Sequence, residues 1–406
     1  MSKYSFEDGN VEYVYPDLHI YPDKFSPDTG IKLLKNLNIK GERMLDPFCG
    51  AGNMLTAGLA VGFKEIHGCD INPVAISICK SKFNAVSPSN LREIKMTLEN
   101  NISKYLIEEK GRKYNPIKKE LSYWLNEDAL DSLNAVKVCI KDTVKSLSCN
   151  RNTSILNEFF YLCLVDTLRE CSYVKVNNFD VTRMPPEEIE RFICNPVKLF
   201  FSKLDNYISI YENNYYPLIK EGVISNFEDS SFSFSDKNLF DVVFTEPPYG
   251  NDPYVVDYER FTFLANLCMD YKKRRELNRM SIGGDVKDIP YLKGNTQRII
   301  RNMTRRNVKY CNILSTYFFD MENHISEIAK SVKKEGTVIY VIKNRRLKLL
   351  KIDNSDFIQH CFSKEGFKHV CTYEKSISRE NQVRRGKGDY KDNVVTDEKI
   401  IVLTKE

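Results

Sequence analysis

Glu246, Pro247, Pro248 and Tyr249 fall in the stretch FDVVFTEPPYG at 240–250, and their types define a chemical problem. The carboxylate offers acceptor oxygens, the prolines lack a backbone N–H and hold φ fixed, and the tyrosine offers a flat ring. Carbonyls that prolines keep out of a strand ladder remain available to a ligand. Such a corner suits a planar group bearing an exocyclic amine: the oxygens accept its hydrogens and the ring covers its face. Far upstream stands DPFCGAG at 46–52, followed by CDINP at 69–73. Gly50 and Gly52 let backbone N–H groups approach a ligand, and Asp70 at the next strand end can accept both hydroxyls of a ribose. Asp46-Pro47 stands where a dinucleotide site needs a further glycine, which favours a non-phosphorylated nucleoside over a pyrophosphate. Either stretch alone also reads as a structural turn; their pairing points to function.

These residues need strands that end in them. Phe240 to Phe244 is an apolar run with little alternation, as in a strand buried on both faces of a parallel sheet, and Pro247 and Pro248 stop it. Met44 and Leu45 read as a short buried strand, Asp46 to Gly52 as a tight turn, and Asn53 to Val61 as a helix closed by Gly62. The next strand ends at Asp70, and Asn72-Pro73 opens another helix. Upstream, Asp28 or Thr29 is expected to cap a helix with Ile31, Leu33, Leu34 and Leu37 on one side. Strand, glycine turn, helix and a strand with a terminal acid make a nucleotide-binding layout, whose ligand sits beyond the carboxyl ends of the strands.

Residues 90–221 carry helical spacing, including ILNEFFYLCLVDTLREC and a further helix over 187–221, and read as an insertion with either a structural or a target-recognition role. The sheet resumes with a third strand at Val223 and Ile224, Glu228 or Asp229 near its end, and with 240–244 as the fourth. A helix is expected after 254 and another over Met321 to Val332, with strands at 337–343, 367–373 and 399–405, the last two as an antiparallel hairpin. The fold expected is α/β, a Rossmann-like sheet of seven strands with a helical insertion domain. It divides at 1–89, 90–221 and 222–406.

A chain of 406 residues, 42% hydrophobic and 28% charged, can bury a full core and reads as soluble and globular. A net charge of +5 is too small to mark a nucleic-acid binder, so the distribution of charge must decide. The stretch 272–306 gathers Lys272, Lys273, Arg274, Arg275, Arg279, Arg298, Arg301, Arg305 and Arg306 next to the proposed site, and reads as a phosphate-contacting surface. Twelve cysteines without a C-x-x-C pair, and with no signal peptide ahead of them, point to reduced thiols in the cytoplasm; no metal site and no membrane span are expected.

With both stretches in view, the chain resembles the S-adenosylmethionine-dependent DNA amino-methyltransferases, of the cytosine-N4 and adenine-N6 type. They share the order D-P-F-x-G-x-G, then D-x-N-P, then (S/D/N)-P-P-(Y/F), places occupied here by 46–52, 69–73 and 246–249. HIYPDKF at 19–25 is similar to the segment that precedes the first strand in that family. The resemblance covers roughly 19–85 and 222–405. It implies a seven-stranded methyltransferase sheet with S-adenosylmethionine as cofactor. Tyr21, Lys24 and Phe25 would then lie near its methionine end, and Asp46, Pro47, Phe48, Cys49, Gly50 and Gly52 around its methionine portion. Asp70 would take the ribose hydroxyls, Ile71 would pack on the adenine and Asp229 would meet the adenine amine, with Asn72 also among the cofactor-binding residues. Glu246, Pro247, Pro248 and Tyr249 would grip a base flipped out of double-stranded DNA, with a cognate restriction endonuclease as a candidate second partner.

Glu246 stands where the family has Ser, Asp or Asn. The context TEPPYGNDPYVVDYERFTFL followed by SIGGD resembles the members of the family with T-S-P-P-Y-G and a later Gly-Gly, and that resemblance implies cytosine-N4 over adenine-N6. Carbon-5 methylation is disfavoured because no proline here precedes a cysteine. The rivals are a guanine-N2 RNA methyltransferase and a cofactor-binding protein that has lost activity.

Overall fold

The computed structural model describes residues 3–5, 15–21, 25–83, 85–108, 119–147, 153–175, 182–219, 222–228, 237–249, 262–269, 277, 279–285, 308–347, 350–376 and 394–406. Among the described residues nine strands form one sheet: β1 (Lys3–Ser5), β2 (Arg43–Asp46), β3 (Glu65–Cys69), β4 (Ile224–Glu228), β5 (Phe240–Thr245), β6 (Val332–Leu347), β7 (Leu350–Ile352), β8 (Phe367–Ser376) and β9 (Val394–Lys405). Their order is β1-β8-β9-β6-β5-β2-β3-β4, with β7 paired to β6. The seven expected strands are all present as β2 to β6, β8 and β9; the three-residue β1 and β7 are additions at the periphery. β2 to β6 pair in parallel, whereas β9 runs antiparallel to both β6 and β8. From β2 the chain steps outward through β3 and β4, then returns to β2's other side with β5. The switch point therefore lies between β2 and β5, where open α/β sheets leave a crevice at the carboxyl ends.

Alternation along the central strands feeds two apolar layers. Met44, Val242, Phe244, Ile339 and Val341 pack in one cluster with Leu33 and Leu34 of α1 (Pro27–Asn36) and Met54 and Ala57 of α2 (Asn53–Val61). Leu45, Val243, Val338, Tyr340 and Ile342 pack in the other, with α9 (Val308–Ser331) and α10 (Asn354–Lys364). A central strand with both faces covered reads as near-continuous hydrophobicity, and in β5 only Asp241 interrupts it before Thr245.

α3 (Pro73–Lys82) carries the chain to α4 (Pro88–Glu108), α5 (Glu127–Leu147), α6 (Thr153–Cys171) and α7 (Pro196–Ile210). These helices share a third apolar cluster with Leu55 and Leu59 of α2. α6 is apolar nearly all round because it is the centre of the block, touching α3, α5 and α7. The 15–21 segment is tied to that block: Tyr215 donates to the Pro16 carbonyl at 2.7 Å, and His19 meets Tyr207 at 2.8 Å and Asp166 at 3.2 Å.

Three expected boundaries are corrected. α1 begins at Pro27 with Ser26 at its N-cap, so Asp28 and Thr29 lie inside its first turn, where the acid faces the positive helix end. The helix expected over 187–221 is broken near its start: Pro186–Ile189 is a separate short helix with Phe192 beyond it, α7 begins at Pro196 with Asn195 capping it by accepting from the Lys198 N–H, and from Ile210 helical structure continues through a π turn at Tyr211–Tyr215 to Ile219, near the expected end. α9 starts at Val308 rather than near Met321. Of the helix expected after 254, Phe263–Cys268 is described and labelled α8. Among the described residues no helix is long and apolar enough to cross a membrane.

Candidate active site

The tips of β2 and β5 lie side by side, with Met44 opposite Val242 and Leu45 opposite Val243. The two motifs therefore leave the sheet at the same edge. Asp46 ends β2 and is buried. Its Oδ1 accepts from Thr245 Oγ1 at 2.6 Å, which locks it to the β5 tip, and from the Phe48 N–H at 3.2 Å, which turns the chain back. Burial raises the Asp46 carboxyl to about 7, and the nearby Asp70 and Glu246 charges add to that, while the two hydrogen bonds oppose it.

The turn is then fastened to the tip of β3. Cys49 N–H donates to the Cys69 carbonyl at 2.9 Å and Gly50 N–H to Asp70 Oδ2 at 3.0 Å, while Asp70 Oδ1 accepts from Asn72 N–H at 2.8 Å. Gly50 and Gly52 have left-handed φ of 46° and 77°. A β-carbon on Gly52 would come within 2.8 Å of the Phe83 ring, so the turn requires glycine there on both counts. Asp70 is half-buried, and burial raises its carboxyl to about 6 against the pull of its two amide donors.

Tyr21 packs over Gly50, and its hydroxyl accepts from Asn72 Nδ2 at 3.3 Å; the Phe25 carbonyl accepts from Asn53 Nδ2 at 3.1 Å. The structure thus gathers Tyr21, Phe25, Asp46, Pro47, Phe48, Cys49, Gly50, Gly52, Asp70, Ile71 and Asn72 around one turn, with Ile71 half-buried. Lys24, Asp229 and the basic residues Lys272, Lys273, Arg274, Arg275, Arg298, Arg301, Arg305 and Arg306 lie outside the described residues. Cys49 is buried and its thiol is pushed well above the usual range by desolvation, so it packs rather than reacts.

Across the crevice, the Glu246–Tyr249 corner is held from β6, α9 and α10. Lys343, in β6 just beyond the part paired with β5, places its Nζ 3.0 Å from Glu246 Oε1 and 5.2 Å from the centre of the Tyr249 ring. Tyr317 of α9 donates to the Pro248 carbonyl at 2.9 Å. Asn354, the first residue of α10, donates through Nδ2 to the Tyr249 carbonyl at 3.1 Å and the Lys343 carbonyl at 3.0 Å. Phe48 and Tyr249 pack against one apolar cluster, so the two motifs share a floor as well as an edge. Beneath Phe48 lies His324, its ring centre 4.7 Å away; burial lowers its pKa to about 3, and it pairs as a neutral ring with Tyr340 at 2.9 Å.

Sequence reasoning missed Thr245, Lys343, Tyr317, Asn354 and one residue under the glycine turn. Lys82 is fully buried; its ammonium donates to the Ala51 carbonyl at 2.7 Å and to Asn53 Oδ1 at 3.3 Å, and lies 5.0 Å from the Tyr215 ring centre. Burial lowers its pKa. In KSKF it reads as an ordinary surface lysine, and nothing local distinguishes it.

No family model matches the chain. A protein described as Type II methyltransferase M.MvaI, from Kocuria varians, is 27% identical over 402 residues, spanning 92% of this chain and 86% of that protein. Among solved structures, the rRNA methyltransferase aviRa from Streptomyces viridochromogenes aligns over 99% of this chain and 96% of its own at 10% identity, with a TM-score of 0.33. The methyltransferase resemblance carried by the three motifs thus extends, through the Type II relative, along nearly the whole chain.

Proposed function

We propose that this chain, similar throughout to an S-adenosylmethionine-dependent methyltransferase, is a site-specific DNA methyltransferase that modifies the exocyclic amine of a flipped base, cytosine-N4 in preference to adenine-N6. The observation that carries the reading is the placement of the 46–52 turn and the Glu246–Tyr249 corner on adjacent parallel strands, at one edge, at the switch point. The Type II description of the relative supports DNA as substrate and a restriction-modification setting in the cytoplasm, with a cognate endonuclease as partner.

The residues present fit the cofactor. Gly50 and Gly52 bare the turn's backbone, and the half-buried Asp70 spends one acceptor site of each oxygen on a backbone amide, which leaves lone pairs for ribose hydroxyls. We assign Tyr21, Lys24, Phe25, the 46–52 turn, Asp70, Ile71, Asn72 and Asp229 to its binding. When bound, S-adenosylmethionine supplies an electrophilic methyl on a cationic sulfur.

The chain's own residues prepare the nucleophile. An exocyclic amine is weakly nucleophilic because its lone pair is delocalised into the ring. Glu246 and the Pro247 carbonyl accept its hydrogens, so the lone pair becomes available as the nitrogen moves toward tetrahedral, and Tyr249 stacks on the extruded base. The nitrogen would bond to the methyl as the methyl's bond to sulfur breaks, the electron pair staying on sulfur, and the surplus proton would leave the nitrogen toward the Glu246 oxygens and water. Placement of methyl and amine in line contributes on the order of 7–11 kcal/mol when the geometry is good. The basic stretch 272–306 is assigned to phosphate contact, and the division at 1–89, 90–221 and 222–406 is proposed with a target-recognition role for the middle part.

Expression in a methylation-free host, followed by long-read mapping of modified bases, tests the reading. N4-methylcytosine within one short recurrent sequence is the expected result. N6-methyladenine there would move the target base while keeping the enzyme. Unmodified DNA together with tritium transfer to RNA would replace the substrate class altogether.

A further inference from the structure

We propose that Lys343 is a positioning residue for methyl transfer, a single ammonium that sets both the acceptor carboxylate of Glu246 and the stacking ring of Tyr249; this rests on the amino-methyltransferase reading. Glutamate carries one more rotatable bond than the aspartate or asparagine that resembling sequences place there, and an unrestrained carboxylate would sample several rotamers at an entropic cost when it meets the amine. The side chains of Lys343 and Glu246 are 13% and 17% exposed and separated by 3.0 Å, so water screens the pair little and the bond can select one rotamer. The same Nζ lies 5.2 Å from the Tyr249 ring centre, within range of a cation–π attraction.

The lysine is itself anchored. β6 is a central strand in register with β5, Thr245 opposite Tyr340, and the Lys343 carbonyl is joined through Asn354 to that of Tyr249. A rigid strand therefore presents the charge, and both site groups take their place from it. The longer acid thus needs a partner that a shorter one would do without, and the neighbouring strand supplies it.

The test uses the full chain, tritiated S-adenosylmethionine and genomic DNA from a methylation-free host. Lys343→Met keeps the volume and removes the charge; kcat should fall about 100-fold while cofactor Kd stays within about twofold of wild type. Lys343→Arg, which can both pair with a carboxylate and stack on a ring, should recover most of the loss. In the double variant E246A/K343M the loss should be well short of the product of the two single losses, because with Glu246 gone only the Tyr249 ring is left for the lysine to position. Wild-type kcat in K343M, failure of the arginine to restore transfer, or multiplicative losses in the double variant would each overturn the proposal. Should K343M fail to bind cofactor, Lys343→Gln and Lys343→Arg decide the same question. A wild-type chain that transfers no methyl to DNA overturns the underlying reading, and the lysine's role with it.

Discussion

Strands β5 and β6 are joined by a carboxylate–lysine pair at each end, Asp241 with Lys333 at the amino edge of β5 and Glu246 with Lys343 beyond its carboxyl edge. The lower acid is embedded in backbone: Asp241 Oδ2 accepts the Glu42 and Arg43 N–H groups at 2.9 and 2.8 Å, and Oδ1 takes Lys333 at 2.6 Å. It therefore clasps three strands, β2, β5 and β6. Burial pushes its carboxyl up, but the lysine and the two amides outweigh that and hold it below the usual carboxylate range. The upper acid follows β5 at the edge where the glycine turn opens, and its lysine also reaches a ring. Similar chemistry at the two ends of one strand pair thus separates a structural clasp from a candidate catalytic one, because only one end lies at the switch point.

Glu246→Ala should give the largest effect. Loss of a preorganised acceptor at a reacting group costs about 100- to 1,000-fold in kcat. Cofactor affinity, measured by calorimetry, should stay near wild type, since the acid is assigned to the target base and not to the cofactor; undiminished turnover would remove Glu246 from the chemistry. Asp241→Ala should do the reverse. It leaves two backbone amides and an ammonium without their acceptor, at a cost of about 2–3 kcal/mol in a denaturant titration. Methyl transfer per folded molecule should be unchanged. Because the Asp241 pKa is depressed, its contribution is present above the unfolded carboxyl value near 4 and is lost as pH falls through the folded value. Asp241→Asn should accordingly flatten the stability loss in acid. If the two variants showed the same profile, the distinction between the ends would collapse.

The central sheet and the two motif turns were legible because their signals are local. A doubly buried strand writes continuous hydrophobicity, a left-handed turn writes glycine, and proline writes a stop. The supports of the site were illegible because they depend on which strands become neighbours. Lys343 in VIKNRR looks like the start of a charged run until β6 is placed in register with β5. Lys82 looks exposed until α3 buries it beneath the turn at Ala51. α9 was read late because its first turns, VKYCNILS, mix polar residues among apolar ones. The break before α7 was written plainly in Asn195-Pro196, a cap followed by proline at N1, but the surrounding aromatic residues kept helical spacing and obscured it.

The smallest expected effect concerns the cofactor side, where Asp70 and Asp46 hold their protons up to about 6 and about 7 through burial. Both folded values lie above the unfolded aspartate value near 4, so the folded chain binds extra protons in between. The stability these groups contribute is fully present below the unfolded value and is lost as pH rises through 6 to 7. The thermal midpoint of the ligand-free chain should accordingly drift down across that window. Cofactor binding should run the other way. A ribose hydroxyl donates best to an ionised Asp70, and a cationic sulfur favours carboxylates over carboxyls, so affinity should strengthen roughly tenfold between pH 5 and 7 and binding should release protons. Calorimetry in buffers of different ionisation enthalpy reads that release directly. Asp70→Asn should weaken binding and remove the part of the dependence centred near 6, leaving the part near 7 that belongs to Asp46. An affinity that stays flat across the range in the wild-type chain would mean that neither carboxyl changes state on binding. The acid at the end of β3 would then be a brace for the glycine turn, as Asp241 is for the opposite edge of the sheet.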